Sequence, residues 1–522
     1  MFLLWHKEKI DLFLISSFAL CFAFGSALWL GQDASWDLRN YHFYNPYAWL
    51  QHRANIDIAP AQLQSFLHPF ADIPHYLMVK AGYPSWLIAC VLALPVALTL
   101  YFLGLLSRVD RISAKPFYVI LTIMLIAGTG ASGFPVIGST MSEWHVTALF
   151  IAALWLTFKE NDLPSVLTCL LSGFLGGVAV GLKLTGAVYA VALGVMYLFM
   201  PGSLLQRIRQ TACLGLGGLI GFMLVFAPWG LEMWSRYQNP LFPFFNQWFK
   251  SPWAEFSNYA GSPYATQSLW DLASLPWRLM ITSTPLVSEF RLQDWRLGLG
   301  FPALAWLAFG SLKFRQEQPK FWLPVFVFCS VSYVIWAKLY GIYRYAGVLE
   351  VLMPLAIMMA ISSIFKKSIF WAIATATGLL LTPTVWPAWG RLPHGESAVV
   401  AQIPQLPDNS MVVFATLEPV GYLSPSLPKE VPVVSLINNF MHTDPGKIEL
   451  QNLATQKVLQ HQGPLWLLSQ QGFEAEKYYN GKPIATMLNE LGLYARTQDC
   501  LPIQTGFTDK LALCRLSAKG LK

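Results

Sequence analysis

Residues 84–135 read PSWLIACVLALPVALTLYFLGLLSRVDRISAKPFYVILTIMLIAGTGASGFP. Two apolar runs, about 84–107 and 116–135, flank a short loop that carries Arg108, Arg111 and Lys115. A helix needs roughly 20 predominantly apolar residues to cross the hydrocarbon core of a bilayer. Runs of this kind separated by short basic loops are the signature of a chain that crosses a membrane repeatedly.

The pattern continues outward on both sides. Further apolar runs lie at about 11–31, 144–158, 164–182, 184–200, 212–231, 298–312, 321–337, 346–364 and 369–389, for about eleven transmembrane helices. The pair flanking Lys183 has almost no connecting loop. The first run is read as an uncleaved helix, because it is long for a signal peptide and no A-x-A site follows it. Composition agrees: 55% of the 522 residues are hydrophobic and only 12% are charged, against about 25% charged in a soluble domain. The net charge of +7 sits in short clusters between apolar runs, which argues for membrane loops and against nucleic acid.

With the N-terminus placed in the cytoplasm, the loops that land inside are Ser107–Lys115, Lys159–Asp162, Pro201–Gln210, Ser311–Lys320 and Phe365–Ser368. They carry Arg108, Arg111, Lys115, Arg207, Arg209, Lys313, Arg315, Lys320, Lys366 and Lys367, and Lys7 and Lys9 join them. All short basic loops then fall on one side, as the positive-inside rule requires. Three long segments fall outside: about 32–83, about 232–297 and the tail from about 391. In a bacterial inner (plasma) membrane, outside means the periplasm.

The tail shows strand-like runs at Met411–Thr416, Val431–Ile437, Leu465–Ser469, Leu493–Thr497 and Leu511–Leu516, with helix-like stretches at about 446–462 and 482–492. The expected fold is therefore mainly α, a polytopic helical bundle over 1–390 with a small α/β domain over 391–522. Cys500 and Cys514 lie in or beside the last two strands, where they can pair across a hairpin, and an outside location permits a disulfide. Cys21, Cys90, Cys169, Cys213 and Cys329 lie in apolar runs and read as packing residues.

Polar residues concentrate at the outer boundary. The first outer loop opens with Gln32, Asp33, Ser35, Trp36, Asp37, Arg39, Asn40, Tyr41 and His42, and later carries Asp57, His68, Asp72 and His75. Its stretch Leu38–His52 mixes aromatic and polar residues, which suits a helix lying on the bilayer surface. Glu143 and His145 follow the turn between the third and fourth helices. Lys183 stands in Gly181–Gly186, and Lys338, Arg344 and Tyr345 stand between two late helices. Charges at a membrane boundary are costly and point to function. Lys and Arg hold phosphate, and a carboxylate takes a proton from an attacking hydroxyl. Plainer readings stand beside these: Asp33 and Asp37 as solvated acids or helix caps, Lys183 snorkelling to the headgroups, Arg344 as an ordinary boundary cation. His42, His68, His75 and His145 lack tight metal-ligand spacing. The aromatic residues of the second outer loop, Trp248 and Trp270 among them, read most simply as an interfacial belt, and equally as the floor of a lipid or sugar site.

Asp37-Leu38 followed by Tyr41, then Tyr47–Leu50 and Arg53, directly after the first helix; Lys183-Leu184-Thr185-Gly186; and Arg344-Tyr345 followed by Pro354: in this order and sidedness the chain resembles the GT-C superfamily of membrane glycosyltransferases. Asn239–Asn246 is similar to a stretch in bacterial proteins of this type. The adjacent acidic pair of some GT-C families is absent, since Gln32 precedes Asp33. Asp33 and Asp37 therefore compete for the catalytic role, and the Asp-Leu-x-x-Tyr pattern, similar to mannosyltransferase-like branches, favours Asp37.

The resemblance implies inverting transfer of a sugar from a polyprenyl-phosphate donor to a glycan, lipid or protein acceptor. Asp37 would be the general base. Lys183 and Arg344, with Lys338, would bind the donor phosphate, and Tyr41, His42, Glu143, His145 and Tyr345 would orient substrate. No cofactor is assigned, a divalent cation being the one candidate. A lipid-linked glycan ligase or polymerase shares these features. A transporter fits less well, because no repeat is visible and the charges avoid the midplane. A non-catalytic assembly protein whose tail recruits partners would leave the boundary charges dispensable.

Overall fold

The computed structural model describes the chain except Met1, 110–115, 161–162, 260, 282–284, 314–320, 366–367, 443–446, 471–475, 508–509 and 519–522. Arg111, Lys115, Asp162, Arg315, Lys320, Lys366 and Lys367 of the expected inner loops therefore lie outside the described residues, as do the side chains of Lys7 and Lys313. Contacts divide the chain into two compact units. One comprises Met1–Gly31, Ala89–Ala227 and Gly261–Trp389; the other comprises Gln32–Ile88, Pro228–Ala260 and Gly390–Lys522. Segments 32–88 and 228–260 thus group with the tail.

The first unit is helical, and each apolar run falls on an apolar helix. Among the described residues of the chain, five helices are long and apolar enough to cross a membrane: Lys9–Leu30, Ser85–Leu106, Leu204–Tyr237, Trp322–Leu339 and Tyr343–Ile364. Shorter apolar helices are Phe117–Gly128, Glu143–Phe158, Val166–Leu182, Leu184–Leu198, Arg296–Gly310 and Ile369–Leu381. The segment Tyr343–Ile364 is the most buried of the five, at 72%, and Leu204–Tyr237 is 22% buried. Phe13, Trp29, Leu219 and Leu224 stand exposed, a surface that water penalises and hydrocarbon does not.

Small residues let two helices touch. A Cβ on Gly173 would lie 1.9 Å from the Leu214 carbonyl oxygen, and one on Gly177 would lie 1.9 Å from that of Gly218. Gly217 and Gly221 meet Leu170 and Phe174 in the same way. Helices Val166–Leu182 and Leu204–Tyr237 therefore cross backbone to backbone, as glycines spaced by four residues permit.

A buried charge network closes the C-terminal end of helix Phe117–Gly128. Asp294, Arg296 and Glu350 are fully buried. Arg296 donates to the Ile126 carbonyl at 3.0 and 3.1 Å and to Asp294 at 3.0 Å. Asp294 accepts from Ala131 N at 2.9 Å, and Glu350 accepts from Ser132 N and Gly133 N at 2.7 and 3.0 Å. Gly130 is required because a Cβ there would sit 2.1 Å from the Glu350 carboxyl carbon.

The second unit holds two sheets. Strands β1 (Gln32–Asp33) and β2 (Arg391–Leu392) pair antiparallel. The other strands are β3 (Ala401–Gln402), β4 (Met411–Ala415), β5 (Val433–Ile437), β6 (Leu465–Gln470), β7 (Leu493–Thr505) and β8 (Leu511–Ala518), in the order β3-β7-β8-β6-β4-β5. Strands β5, β4 and β6 run parallel and the rest antiparallel. The near-continuous apolar runs of β4, β5 and β6 are what strands covered on both faces need. Cys500 and Cys514, paired in register between β7 and β8, are joined by a disulfide.

The stretch Leu38–His52, expected to lay its aromatic face on the bilayer, packs much of that face against protein. It forms a π-helical turn, Leu38–His42, then helix Tyr44–Leu50. Leu38, Phe43, Tyr44 and Tyr47 are buried in one cluster with Val412, Tyr422, Leu423 and Val433. Protein apolar surface satisfies these side chains as well as lipid would, and the tail supplies it.

Candidate functional site

In the helical unit, three residues from distant parts of the chain converge. Glu143 opens helix Glu143–Phe158, where the helix dipole favours a carboxylate. Lys183 ends helix Val166–Leu182 in an extended conformation (φ −149°, ψ 110°), at a helix end that favours a cation. Arg344 lies in the 3-10 turn Tyr343–Ala346 that enters helix Gly347–Ile364.

Lys183 Nζ donates to Glu143 Oε1 at 2.7 Å, and Arg344 Nε forms an ion pair with the same oxygen at 3.0 Å. Glu143 Oε2 is buried and makes no hydrogen bond among the described residues. Lys183 Nζ lies 5.2 Å from the centre of the Tyr345 ring, and the Arg344 guanidinium lies 5.7 Å from Tyr345 and 4.8 Å from Trp389. Such cation–aromatic contacts are worth most when desolvated. Ser132 Oγ donates to the Arg344 carbonyl at 3.1 Å, and Tyr189 donates to that of Tyr345 at 2.6 Å. The Glu350 network therefore reaches Arg344 through Ser132. A cleft of about 10 Å³, lined by Glu143, Thr147, Lys183, Thr185, Arg344 and Tyr345, opens between these groups. It has room for about one water molecule.

His145 and Lys338 are the other sequence candidates of this unit. His145 is half-buried in the first turn of the Glu143 helix. Lys338 donates to the carbonyls of Thr266 and Gln267 at 3.1 and 3.3 Å, so it fastens the lead-in to helix Leu269–Ile281. That helix, with Gly298, Phe301 and Tyr333, walls an apolar groove of about 240 Å³.

The acidic candidates belong to the second unit. Asp33 is buried in β1 opposite Arg391, and its Oδ1 accepts from Ser35 N at 2.9 Å. Ser35 Oγ in turn accepts from Leu38 N at 3.2 Å. Asp37 is half-buried and immediately precedes the π-helical turn, a rare geometry that recurs at functional sites. His42 Nδ1 lies 2.8 Å from Asp72 Oδ1, and its ring packs against Tyr41 with centroids 4.0 Å apart. His75 is buried, and burial pushes its imidazole down to about 4; Asp33 opposes that shift and His42 adds to it. Among the described residues no three His, Cys, Asp or Glu side chains form a group able to hold a metal ion.

Sequence reasoning passed over Asp294, Arg296 and Glu350. Glu350 carried a usable signal, since it interrupts the apolar run 346–364. No family model matches the chain, and no curated protein or solved structure matches it either.

Proposed function

We propose that this protein is an integral membrane glycosyltransferase of GT-C type that uses a polyprenyl-phosphate-linked sugar on the outer face of a plasma membrane. About eleven spans would place the N-terminus in the cytoplasm and the tail outside. The observation that carries the reading is the convergence of Lys183 and Arg344 on one oxygen of Glu143 at the ends of apolar helices.

Charge counting supports the donor class. Lys183 and Arg344 with Glu143 sum to one net positive charge. A polyprenyl-phosphate sugar is a phosphodiester with one negative charge, whereas a diphosphate-linked donor carries two. The apolar groove at helix Leu269–Ile281 has the lining that a prenyl chain prefers.

In the proposed reaction an acceptor hydroxyl attacks the anomeric carbon and the bond from that carbon to the phosphate oxygen breaks. The hydroxyl proton passes to a carboxylate, and polyprenyl phosphate leaves. Lys183 and Arg344 stabilise the charge that develops on the leaving phosphate. The base is assigned to Asp37 on the sequence resemblance, with Asp33 the competing candidate.

The test is a panel of radiolabelled polyprenyl-phosphate sugars offered to purified protein in lipid, with Asp37→Asn as control. Transfer that disappears in the variant while donor binding survives supports the enzyme and its base together. Folded protein with neither binding nor transfer overturns the reading and favours a diphosphate-dependent ligase or a transporter.

A further inference from the structure

In sheets with parallel strands, ligands sit outside the carboxyl ends, where the strand order reverses. In this tail the order reverses at β4, which has β5 on one side and β6 on the other. The chain's own first outer segment occupies that place. Gln62 donates to the carbonyls of Leu417 and Glu418, just past β4, at 3.2 and 3.1 Å. Asn439, just past β5, donates its N–H to Gln62 Oε1 at 3.1 Å, and its Oδ1 accepts from Leu63 N at 3.0 Å.

The same segment is fastened along the β5 edge. Ile58 forms a parallel bridge with Val434, through Ile58 N to Val433 O and Ser435 N to Ile58 O, both 2.9 Å. Asp57 accepts from Val433 N at 3.0 Å and from Arg53 at 2.6 and 2.9 Å. Arg53, almost wholly buried, also donates to the carbonyls of Lys429 and Val431.

From this anchorage a chain of amides runs to the turn beside Asp37. Gln64 Oε1 accepts from Asn439 Nδ2 at 3.2 Å and from Asn40 Nδ2 at 3.1 Å. Asn40 is fully buried inside the π-helical turn Leu38–His42. Its carbonyl packs against Gly421 so closely that a Cβ there would lie 2.0 Å away.

We infer that the C-terminal domain is a clamp: through Asn439, Gln64 and Gly421 it fixes Asn40 and the turn that follows Asp37, and its strand-end crevice serves that purpose in place of a separate ligand. The consequence for catalysis rests on the proposed role of Asp37; the clamp itself does not. Asn439, Gln64 and Gly421 are positioning residues.

The test is hydrogen exchange on the full chain in lipid, for Gln64→Leu, Asn439→Ala and Gly421→Ala, with Gln64→Glu as the variant that keeps an acceptor for both amides. The expected result is faster exchange at 36–43 in the first three, with β4 and β6 as protected as in the parent and Gln64→Glu near normal. Turnover should fall by roughly 100-fold, as misplacement by about an ångström allows, with donor affinity unchanged and Gln64→Glu restoring it. Unchanged exchange at 36–43 in Gln64→Leu and Asn439→Ala overturns the clamp, and so does loosening spread over β4 and β6. Local loosening with undiminished turnover keeps the clamp and removes Asp37 from the mechanism.

Discussion

Lys183 Nζ lies 2.7 Å from Oε1 of Glu143, a carboxylate 40 positions earlier in the chain. The Lys183 side chain is 18% exposed and that of Glu143 6%, so each depends on the other in a place where water screens little. Removing one side of such a pair costs far more than the pair contributes.

Glu143 and Lys183 should therefore fail differently. Glu143→Ala leaves Lys183 and Arg344 close together without their counter-charge, and should cost about 3–5 kcal/mol of stability. Lys183→Met leaves Arg344 paired with Glu143 and should cost less, while weakening polyprenyl-phosphate binding. Thermal unfolding in detergent and a lipid-phosphate binding assay on the same samples separate the two effects. Equal destabilisation by both variants would contradict the pairing argument.

Asp37→Asn and Asp33→Asn should also diverge. Asp37 is half-buried beside the π-helical turn, and its loss should lower transfer by roughly 100- to 10,000-fold with donor binding retained. Asp33 faces Arg391 and accepts from Ser35 N, so its loss should lower the melting temperature first. Kinetics of the two variants beside their melting curves decide which carboxylate is the base.

His75 makes the second unit sensitive to acid. The unfolded chain takes a proton on this ring near pH 6.5, and the folded chain only near 4. Between those values the unfolded state binds more protons. The contribution is therefore complete above 6.5 and is lost as pH falls toward 4, by up to about 3 kcal/mol. Melting temperatures of His75→Phe should fall less than those of the parent between pH 8 and 5. An identical pH slope in both proteins would exclude His75 as the cause.

The glycine crossing predicts a position-specific effect. Gly177→Val pushes two backbones apart and should prevent recovery of folded protein. Gly215→Ala, with nothing within 4 Å of the added atom, should be neutral or stabilising by up to about 1 kcal/mol. Monodispersity after detergent extraction reads both outcomes.

Reduction of the Cys500–Cys514 bond opens a loop whose ends are 14 positions apart, which should cost about 3 kcal/mol by the chain-entropy argument. Melting curves with and without reductant, compared with Cys500→Ser protein, measure it. A reductant effect that persists in Cys500→Ser protein would assign the loss to another group.

What the sequence determined by itself is whatever local composition controls. Each apolar run became an apolar helix, because a long stretch of hydrophobic residues has few alternatives. The five expected tail strands start within two residues of their expected positions, because Val, Leu and Ile runs between turn residues pack as strands, but β7 runs on to Thr505, eight residues past its expected end, and β2 and β3 were not foreseen. The breaks at Lys183 and Arg344 were visible as charges interrupting apolar text. Tertiary structure decided everything that rests on pairs distant in the chain. Neither the shared Glu143 oxygen, nor the contacts of Asp294, Arg296 and Glu350 with residues 126–133, nor the amide relay from Asn439 to Asn40 leaves a periodic trace, since each joins residues tens or hundreds of positions apart. The fate of Leu38–His52 shows why. Its aromatic face needed apolar cover, composition alone does not distinguish lipid from protein as that cover, and only the folded tail, arriving some 370 residues later, supplied the answer.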